Sequence, residues 1–355
     1  MDVVETVDLT KIYETRQIAL NSVNLSIPQG CIFGLIGPNG AGKSTALRLI
    51  MGLQRPTAGT IRVFQEPMNL SSGHLRRRIG FHSQNGNFPI DMTPITYLDL
   101  VGKLFGITTS IRKPRLSALL HAMDLLQASS QRVEHLSSGQ RTRLGIAAAL
   151  MNDPDLLLLD EPTIGLDPEG RHYTLDLFEE LRRKGKTIIL STHILPDADE
   201  TCDYVGILNH GKLVFTGSVL DMKQLALANT IDVLVEGEVE LGLQAASVEV
   251  RGIQFERLGA NTVRIAFNNR EGEFISVLSQ VLDALARHGV VLKSIQPAGD
   301  LEDAFLKTLQ EDRRKGFARA LDTEDIMAQL GIYPPSRNPR EGLPSLRSAS
   351  SDEVN

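Results

Sequence analysis

The spacing of apolar residues along the chain predicts two kinds of strand. Alternating apolar and polar residues over positions 3–27 predict two half-buried strands joined by a turn. Short, largely apolar runs at positions 31–36, 156–160 and 187–191 predict buried strands, the last two of them parallel. Helical spacing over positions 169–184 predicts a helix that crosses between the last two strands. The pattern as a whole indicates an α/β fold.

Helical spacing also dominates one long internal segment. Residues 85–153 are predicted to form a helical subdomain inside an N-terminal domain of residues 1–224. Its last helix is predicted at residues 137–152, where a serine stands at the position of an N-terminal cap.

A second, smaller domain is predicted after residue 224. Short strands, one of them at residues 248–253, surround an amphipathic helix at residues 274–287, which indicates an α+β domain of residues 225–312. A further helix is predicted at residues 301–310. Residues 313–355 are predicted to be a mostly disordered tail, because Pro, Ser, Arg and Gly dominate their end.

Composition narrows the classes of partner. The 355-residue chain has a formal net charge of −6, which argues against nucleic acid as its main partner. Its two cysteines, Cys31 and Cys202, are far apart in sequence and favour a reducing compartment. No apolar stretch approaches the roughly 18–20 residues that span a bilayer, and no signal peptide is predicted. We therefore expect any transport function to need a separate membrane protein.

A glycine-rich loop stands between the predicted strand at 31–36 and a helical segment. The glycines allow successive backbone N–H groups to face phosphates, and the helix that follows adds a partial positive charge. We expect Lys43 to reach the β- and γ-phosphates of a nucleotide and the Ser44 hydroxyl to bind Mg²⁺. The residues predicted to bind the nucleotide here are Gly37, Pro38, Asn39, Gly40, Ala41, Gly42, Lys43, Ser44 and Thr45.

Two acidic residues end the apolar strand at 156–160. Asp160 is predicted to hold Mg²⁺ through a water molecule, and Glu161 to polarise the attacking water or accept its proton. Carboxylates at the C-terminal end of a buried strand lie where α/β folds bind ligands.

The run Leu136-Ser137-Ser138-Gly139-Gln140 resembles the L-S-G-G-Q signature of the ATP-binding subunits of ABC transporters, with Ser138 in place of the first glycine. The resemblance covers about residues 3–222. It implies a P-loop NTPase core of ABC-ATPase type, with an antiparallel β subdomain and a helical subdomain. It further implies that Ser137, Gly139 and Gln140 face ATP.

Other positions match the same family. The resemblance implies that Gln84 contacts the metal or the attacking water, and that the switch residue His193 hydrogen-bonds the γ-phosphate. Asp167 occupies the D-loop position, which works across a dimer interface, and Tyr13 takes the place of the aromatic residue that stacks on adenine. A P-loop kinase or GTPase would leave the signature, Gln84 and His193 unexplained.

The resemblance also implies partners. Two such subunits clasp two ATP molecules head to tail, and each motif occurs once here, so we expect a homodimer or a pair with a sibling ATPase. We expect a separate multi-span membrane permease, docking on residues 85–133, and a location in the cytoplasm on the inner face of the membrane. Export is favoured as the direction of transport. The alternative is a soluble ABC ATPase that acts on ribosomes or DNA.

Overall fold

The computed structural model describes residues 1–84, 86–227, 230–236, 243, 249–250, 253–259, 261–267, 274–297 and 301–314. The N-terminal elements are β1 (Asp2–Ile12), β2 (Ile18–Pro28), β3 (Ile32–Ile36), α1 (Lys43–Ile50), β4 (Ala58–Val63), β5 (Glu66–Pro67), α2 (Gly73–Arg76), β6 (Ile79–His82), α3 (Pro94–Leu104), α4 (Thr109–Ala122), α5 (Ser138–Leu150), β7 (Leu156–Asp160), α6 (Pro168–Arg183), β8 (Thr187–Thr192), α7 (Leu195–Thr201), β9 (Tyr204–Asn209), β10 (Lys212–Ser218) and α8 (Val219–Leu227). The C-terminal elements are β11 (Thr230–Glu236), β12 (Ile253–Arg257), β13 (Thr262–Phe267), α9 (Phe274–Arg287), β14 (Val291–Pro297) and α10 (Leu301–Arg314).

The central sheet has the strand order β10-β9-β3-β8-β7-β6. Strands β9, β3, β8, β7 and β6 run parallel, and β10 closes the edge as an antiparallel hairpin with β9. The predicted parallel orientation of the strands at 156–160 and 187–191 is confirmed, and the two strands are direct neighbours, with Leu156 opposite Thr187. Because parallel strands end on the same edge of a sheet, the residues that follow β3, β6, β7 and β8 meet at one edge.

A second sheet, in the order β2-β1-β4-β5, is antiparallel. Its apolar face packs on the central sheet, and helix α1 contributes to the same core. The core includes Val4, Leu20, Phe33, Leu47 and Leu158, none of them more than 1% exposed. This core fixes α1, and with it the glycine loop, against both sheets.

Helices α3, α4 and α5 form the helical segment. Thr93 caps α3 and Ser137 caps α5, each through its side-chain oxygen. Leu98, Leu120 and Leu144 from the three helices are at most 2% exposed and share one core with the central sheet. The first turns of α5 lie near the edge of the central sheet where β6 and β7 end.

The third sheet, in the order β12-β13-β11-β14, is antiparallel and carries α9 on one face. Val233 and Ile265 pack against Val281 and Leu285 of α9. The predicted helix at 274–287 has the bounds observed. The predicted strand at 248–253 is wrong in its first part, because Glu249 is helical and β12 begins at Ile253.

Helix α10 returns to the N-terminal elements. Leu301 and Ala304 join the core of the central sheet, and α10 contacts α7, α8 and β10. Asn209, at the end of β9, donates to Asp312 Oδ2 from its side-chain amide at 2.6 Å. The predicted tail lies outside the described residues, apart from its first two positions at the end of α10.

Candidate functional site

The glycine loop lies between β3 and α1, as predicted. Gly42 has a φ of +107°, and a Cβ there would lie 2.3 Å from the carbonyl oxygen of Ala19. Any larger residue would therefore force the loop away from β2. Pro38, Asn39 and Gly40 are exposed at the tip of the loop, and Ala41 is buried beneath it.

Lys43, the first residue of α1, turns back over the loop. Its Nζ donates to the carbonyl oxygens of Gly37 at 2.7 Å and Pro38 at 3.3 Å. The same nitrogen lies 3.3 Å from Glu161 Oε1, and both side chains are only 6% exposed. Two carbonyl oxygens thus hold the ammonium group of Lys43 over the loop, and the buried carboxylate of Glu161 forms an ion pair with it.

Two hydroxyl groups converge on Asp160 at the end of β7. Ser44 Oγ donates to Asp160 Oδ1 at 2.9 Å, and Ser191 Oγ donates to the same oxygen at 2.6 Å. Asp160 is 2% exposed. A carboxylate and a hydroxyl side by side are the hard oxygen donors that Mg²⁺ prefers, so this pair fits that ion.

Glu161 follows Asp160 in a strained backbone conformation, with a φ of +51°. Its backbone N–H donates to Ser191 Oγ at 3.1 Å. Its Oε2 lies 3.0 Å from His193 Nδ1 and accepts from the backbone N–H of His193 at 3.3 Å. Glu161 therefore bridges Lys43 and His193, and the partly exposed His193 ring leaves its other nitrogen available.

The run 137–140 forms the N-terminus of α5. Ser137 accepts from the backbone N–H of Gln140 at 3.1 Å, and the Gln140 side chain accepts from the backbone N–H of Ser137 at 2.9 Å. This capping box holds the first turn and leaves backbone N–H groups at the helix N-terminus. A Cβ on Gly139 would lie 3.0 Å from the carbonyl oxygen of Gly165.

Asp167 caps α6, accepting from the backbone N–H of Gly170 at 3.3 Å. Tyr13 lies beside the glycine loop: its hydroxyl is 3.1 Å from Thr45 Oγ1 and donates to Gln54 at 3.2 Å. The ammonium of Lys11 stands 5.4 Å from the centre of the Tyr13 ring.

A cavity of about 330 Å³ lies where β6, β7 and α5 meet. Its lining includes His82, Gln84, Ser138, Arg141, Glu161 and Gly165. The sequence-predicted Gln84 and Glu161 thus face one space, together with the first turn of α5. Burial lowers the pKa of His82 to about 4, so this imidazole is neutral near neutral pH.

Comparisons with known proteins identify the family of this chain. Residues 20–164 match the family model described as ABC transporter. The Nod factor export ATP-binding protein I of Cupriavidus pinatubonensis is 34% identical over 319 residues, which cover 86% of this chain and 93% of that protein. The chain belongs to the ABC transporter ATP-binding proteins. An uncharacterized ABC transporter ATP-binding protein of Synechocystis is 32% identical over 321 residues, covering 87% of this chain and 85% of that protein.

A solved ABC cassette supports the fold. The dimeric post-hydrolysis structure of an ATP-binding cassette with ADP and Pi bound is 29% identical, with a TM-score of 0.58 over 61% of this chain and 98% of that one. The predicted fold class and family are confirmed, and the chain is an ATP-binding ABC ATPase that hydrolyses ATP. These relatives do not favour the ribosome- or DNA-directed alternative. None of the described helices has the length and apolar character needed to cross a bilayer.

The sequence analysis missed three polar residues of this ABC ATPase. Ser191 could have been found, because it pairs with Asp160 in the register of two predicted strands. Asp197, 1% exposed on α7, accepts from Thr163 and pairs with Arg171, which ties the loop after Glu161 to α6 and α7. His82 carried no signal, since a histidine in a short apolar strand has no motif of its own.

Proposed function

We propose that this chain is the ATP-hydrolysing subunit of an export system and drives a separate multi-span membrane permease. The observation that carries the proposal is the cluster of Lys43, Glu161 and His193 at the mouth of the glycine loop. Two relatives named for export align with this chain along most of their length, 93% of one and 97% of the other. The cargo class stays open, because no described residue singles out a transported molecule.

Mg²⁺ is the proposed metal. Ser44, Asp160 and Gln84 would hold it, directly or through water, next to the phosphates of ATP. The support is the oxygen chemistry of the first two side chains, which meet at 2.9 Å. Bound there, the ion would neutralise charge on the phosphate oxygens.

Hydrolysis rests on groups that surround one reacting phosphate. Glu161 accepts the proton of the attacking water, since its carboxylate is buried and held from both sides. Lys43 balances the charge of the β- and γ-phosphates. His193, oriented through Nδ1 by Glu161, offers its other ring nitrogen to the γ-phosphate, and Gln84 orients the water.

The remaining predicted residues are assigned to binding. The backbone of residues 37–42, with Ser44 and Thr45, encloses the phosphates, and Tyr13 stacks on adenine. In a head-to-tail dimer, Ser137, Gly139 and Gln140 of one subunit complete the site of the other, and Asp167 acts across the interface. The helix N-terminus formed by the capping box supports the first of these assignments.

Domain roles follow the same proposal. Residues 1–224 form the motor, and its segment 85–133 docks on the permease at the inner face of the membrane. Residues 225–312 are an accessory domain, and residues 313–355 a tail without a catalytic part. Helix α10 packs on the motor core, which supports a capping role for the accessory segment.

Co-purification tests this function. The tagged full chain is expressed in its native host, and detergent extracts of the membranes are purified on the tag. We expect a multi-span membrane protein to co-elute and to change the rate of ATP hydrolysis. If the chain instead co-eluted with ribosomes and with no membrane protein, the transport role would be contradicted, whereas the assignment of the chain as an ATPase would stand.

A further inference from the structure

Gly145, in the middle of the signature helix α5, faces the imidazole of His82. A Cβ placed on Gly145 would lie 2.3 Å from His82 Nδ1 and 2.6 Å from its Cε1. Both distances are far below van der Waals contact, and His82 is only 5% exposed. The ring therefore occupies the space that any side chain at position 145 would need.

A second aromatic ring uses the same space. The Cζ atom of Phe88 lies 3.3 Å from the position of that Cβ. Phe88 is itself held by Tyr97 of α3, with ring centres 5.5 Å apart and planes at 81°. The absence of a side chain at Gly145 thus leaves space on α5 for the rings of His82 and Phe88, which flank Gln84 in sequence.

The strand before Gln84 is equally close to the helix. A Cβ on Gly80 would lie 2.2 Å from the carbonyl oxygen of Ala149, one helical turn beyond Gly145. Residues two apart on β6 therefore meet residues four apart on α5. Two close contacts in succession, one with a side-chain ring and one with a backbone carbonyl, leave β6 and α5 little freedom to slide past each other.

We propose that His82 and Phe88 are positioning residues, which clamp the Gln84 segment onto Gly145 and so hold Gln84 in register with the signature at the start of α5. Gln84 and Ser138 line one cavity, so a shift of α5 along β6 changes the distance between Gln84, which serves the subunit's own nucleotide, and the signature, which serves the partner's nucleotide. The inference rests on the proposed head-to-tail ATP site, in which the signature serves the partner's nucleotide.

A purely structural role would act differently. If His82 and Gly145 only filled space, altering them would lower the unfolding temperature and affect every activity in parallel. A positioning role predicts instead that folded variants bind nucleotide normally, because the glycine loop is untouched. Their turnover and their ATP-dependent pairing then fall.

The test compares Gly145→Ala, His82→Ala and the double variant in the full chain. Thermal unfolding, Mg-ATP affinity by fluorescent-nucleotide titration, kcat, and ATP-dependent dimerisation in a Glu161→Gln background are measured. Gly145→Ala is expected to lower kcat at least about tenfold, with nucleotide affinity within about twofold of wild type. His82→Ala is expected to lower kcat at unchanged nucleotide affinity, and in the double variant the two losses should not multiply, because both substitutions disrupt the same contact.

Gly73→Ala is the matched control, because a Cβ there would have no neighbour closer than 3.9 Å. Wild-type kcat in Gly145→Ala, or fully multiplicative losses in the double variant, would overturn the proposal. If Gly145→Ala does not fold, His82→Ala alone decides: kcat should fall at unchanged nucleotide affinity, and an unchanged kcat overturns the clamp. If the wild-type protein did not hydrolyse ATP, or if Glu161→Gln did not dimerise with ATP, the proposed ATP site itself would be contradicted rather than the clamp.

Discussion

Replacing Glu161 by glutamine should separate ATP binding from hydrolysis. The carboxylate lies 3.3 Å from Lys43 Nζ and 3.0 Å from His193 Nδ1, so both of its oxygens are engaged. The amide keeps the size and one acceptor oxygen. It loses the charge and the ability to accept a proton from water.

The expected loss of rate follows from that missing base. A positioned general base contributes about 10²–10⁴-fold, or about 2.7–5.4 kcal/mol of activation free energy. Nucleotide binding should persist, because Lys43 keeps its two carbonyl acceptors in the glycine loop. Mg²⁺ binding should persist as well, since Ser44 and Asp160 are unchanged.

The assay measures single-turnover phosphate release, Mg-ATP affinity and molar mass by size-exclusion chromatography with light scattering. Slow hydrolysis should trap the closed dimer, giving a stronger ATP-dependent shift to dimer in Glu161→Gln than in wild type. Glu161→Ala is the control for charge repulsion at the interface, because it removes the same charge without the amide.

Two results would refute the reasoning at different steps. Hydrolysis at the wild-type rate would remove Glu161 from the catalytic role. An inactive variant that stays monomeric with ATP would leave the chemistry standing, but it would contradict self-pairing and point to a sibling ATPase.

Three further perturbations test other parts of the structure. Lys43→Ala removes a charge-assisted contact worth about 1.5–3 kcal/mol, so Mg-ATP affinity should fall at least about tenfold; an unchanged affinity in nucleotide titration would mean that the loop is not a phosphate site. Truncation after Gly316 should leave kcat near wild type, and loss of turnover in a folded truncation would contradict the domain assignment. Asp312→Ala leaves the Asn209 amide, in a residue 6% exposed, without its acceptor and should lower the free energy of unfolding by about 1–3 kcal/mol, whereas the exposed Glu311→Ala should not.

Local sequence determined the parts of the site that depend on backbone chemistry. The role of Gly42 follows from its residue type, because the loop needs a positive φ at that position. Asp160 can be recognised as a site residue because it ends a buried apolar strand. The Ser137 cap is equally local, since its hydrogen bond spans three residues. Apolar periodicity cannot distinguish a strand from a helix where either one would bury the same apolar residue. Val250 is buried, at 5% exposed, although Glu249 beside it is helical rather than extended.

Only the tertiary structure decided which residues, distant in sequence, form a hydrogen bond or pack against each other. Ser44 and Asp160 are 116 residues apart in sequence and meet because β3 and β7 both flank β8 in the sheet. The seating of His82 on Gly145 depends on how closely β6 and α5 approach, which hydrophobic spacing does not encode. Helix α10 follows the accessory strands in sequence, yet it buries Leu301 in the motor core, because its apolar stripe packs on α7 and α8.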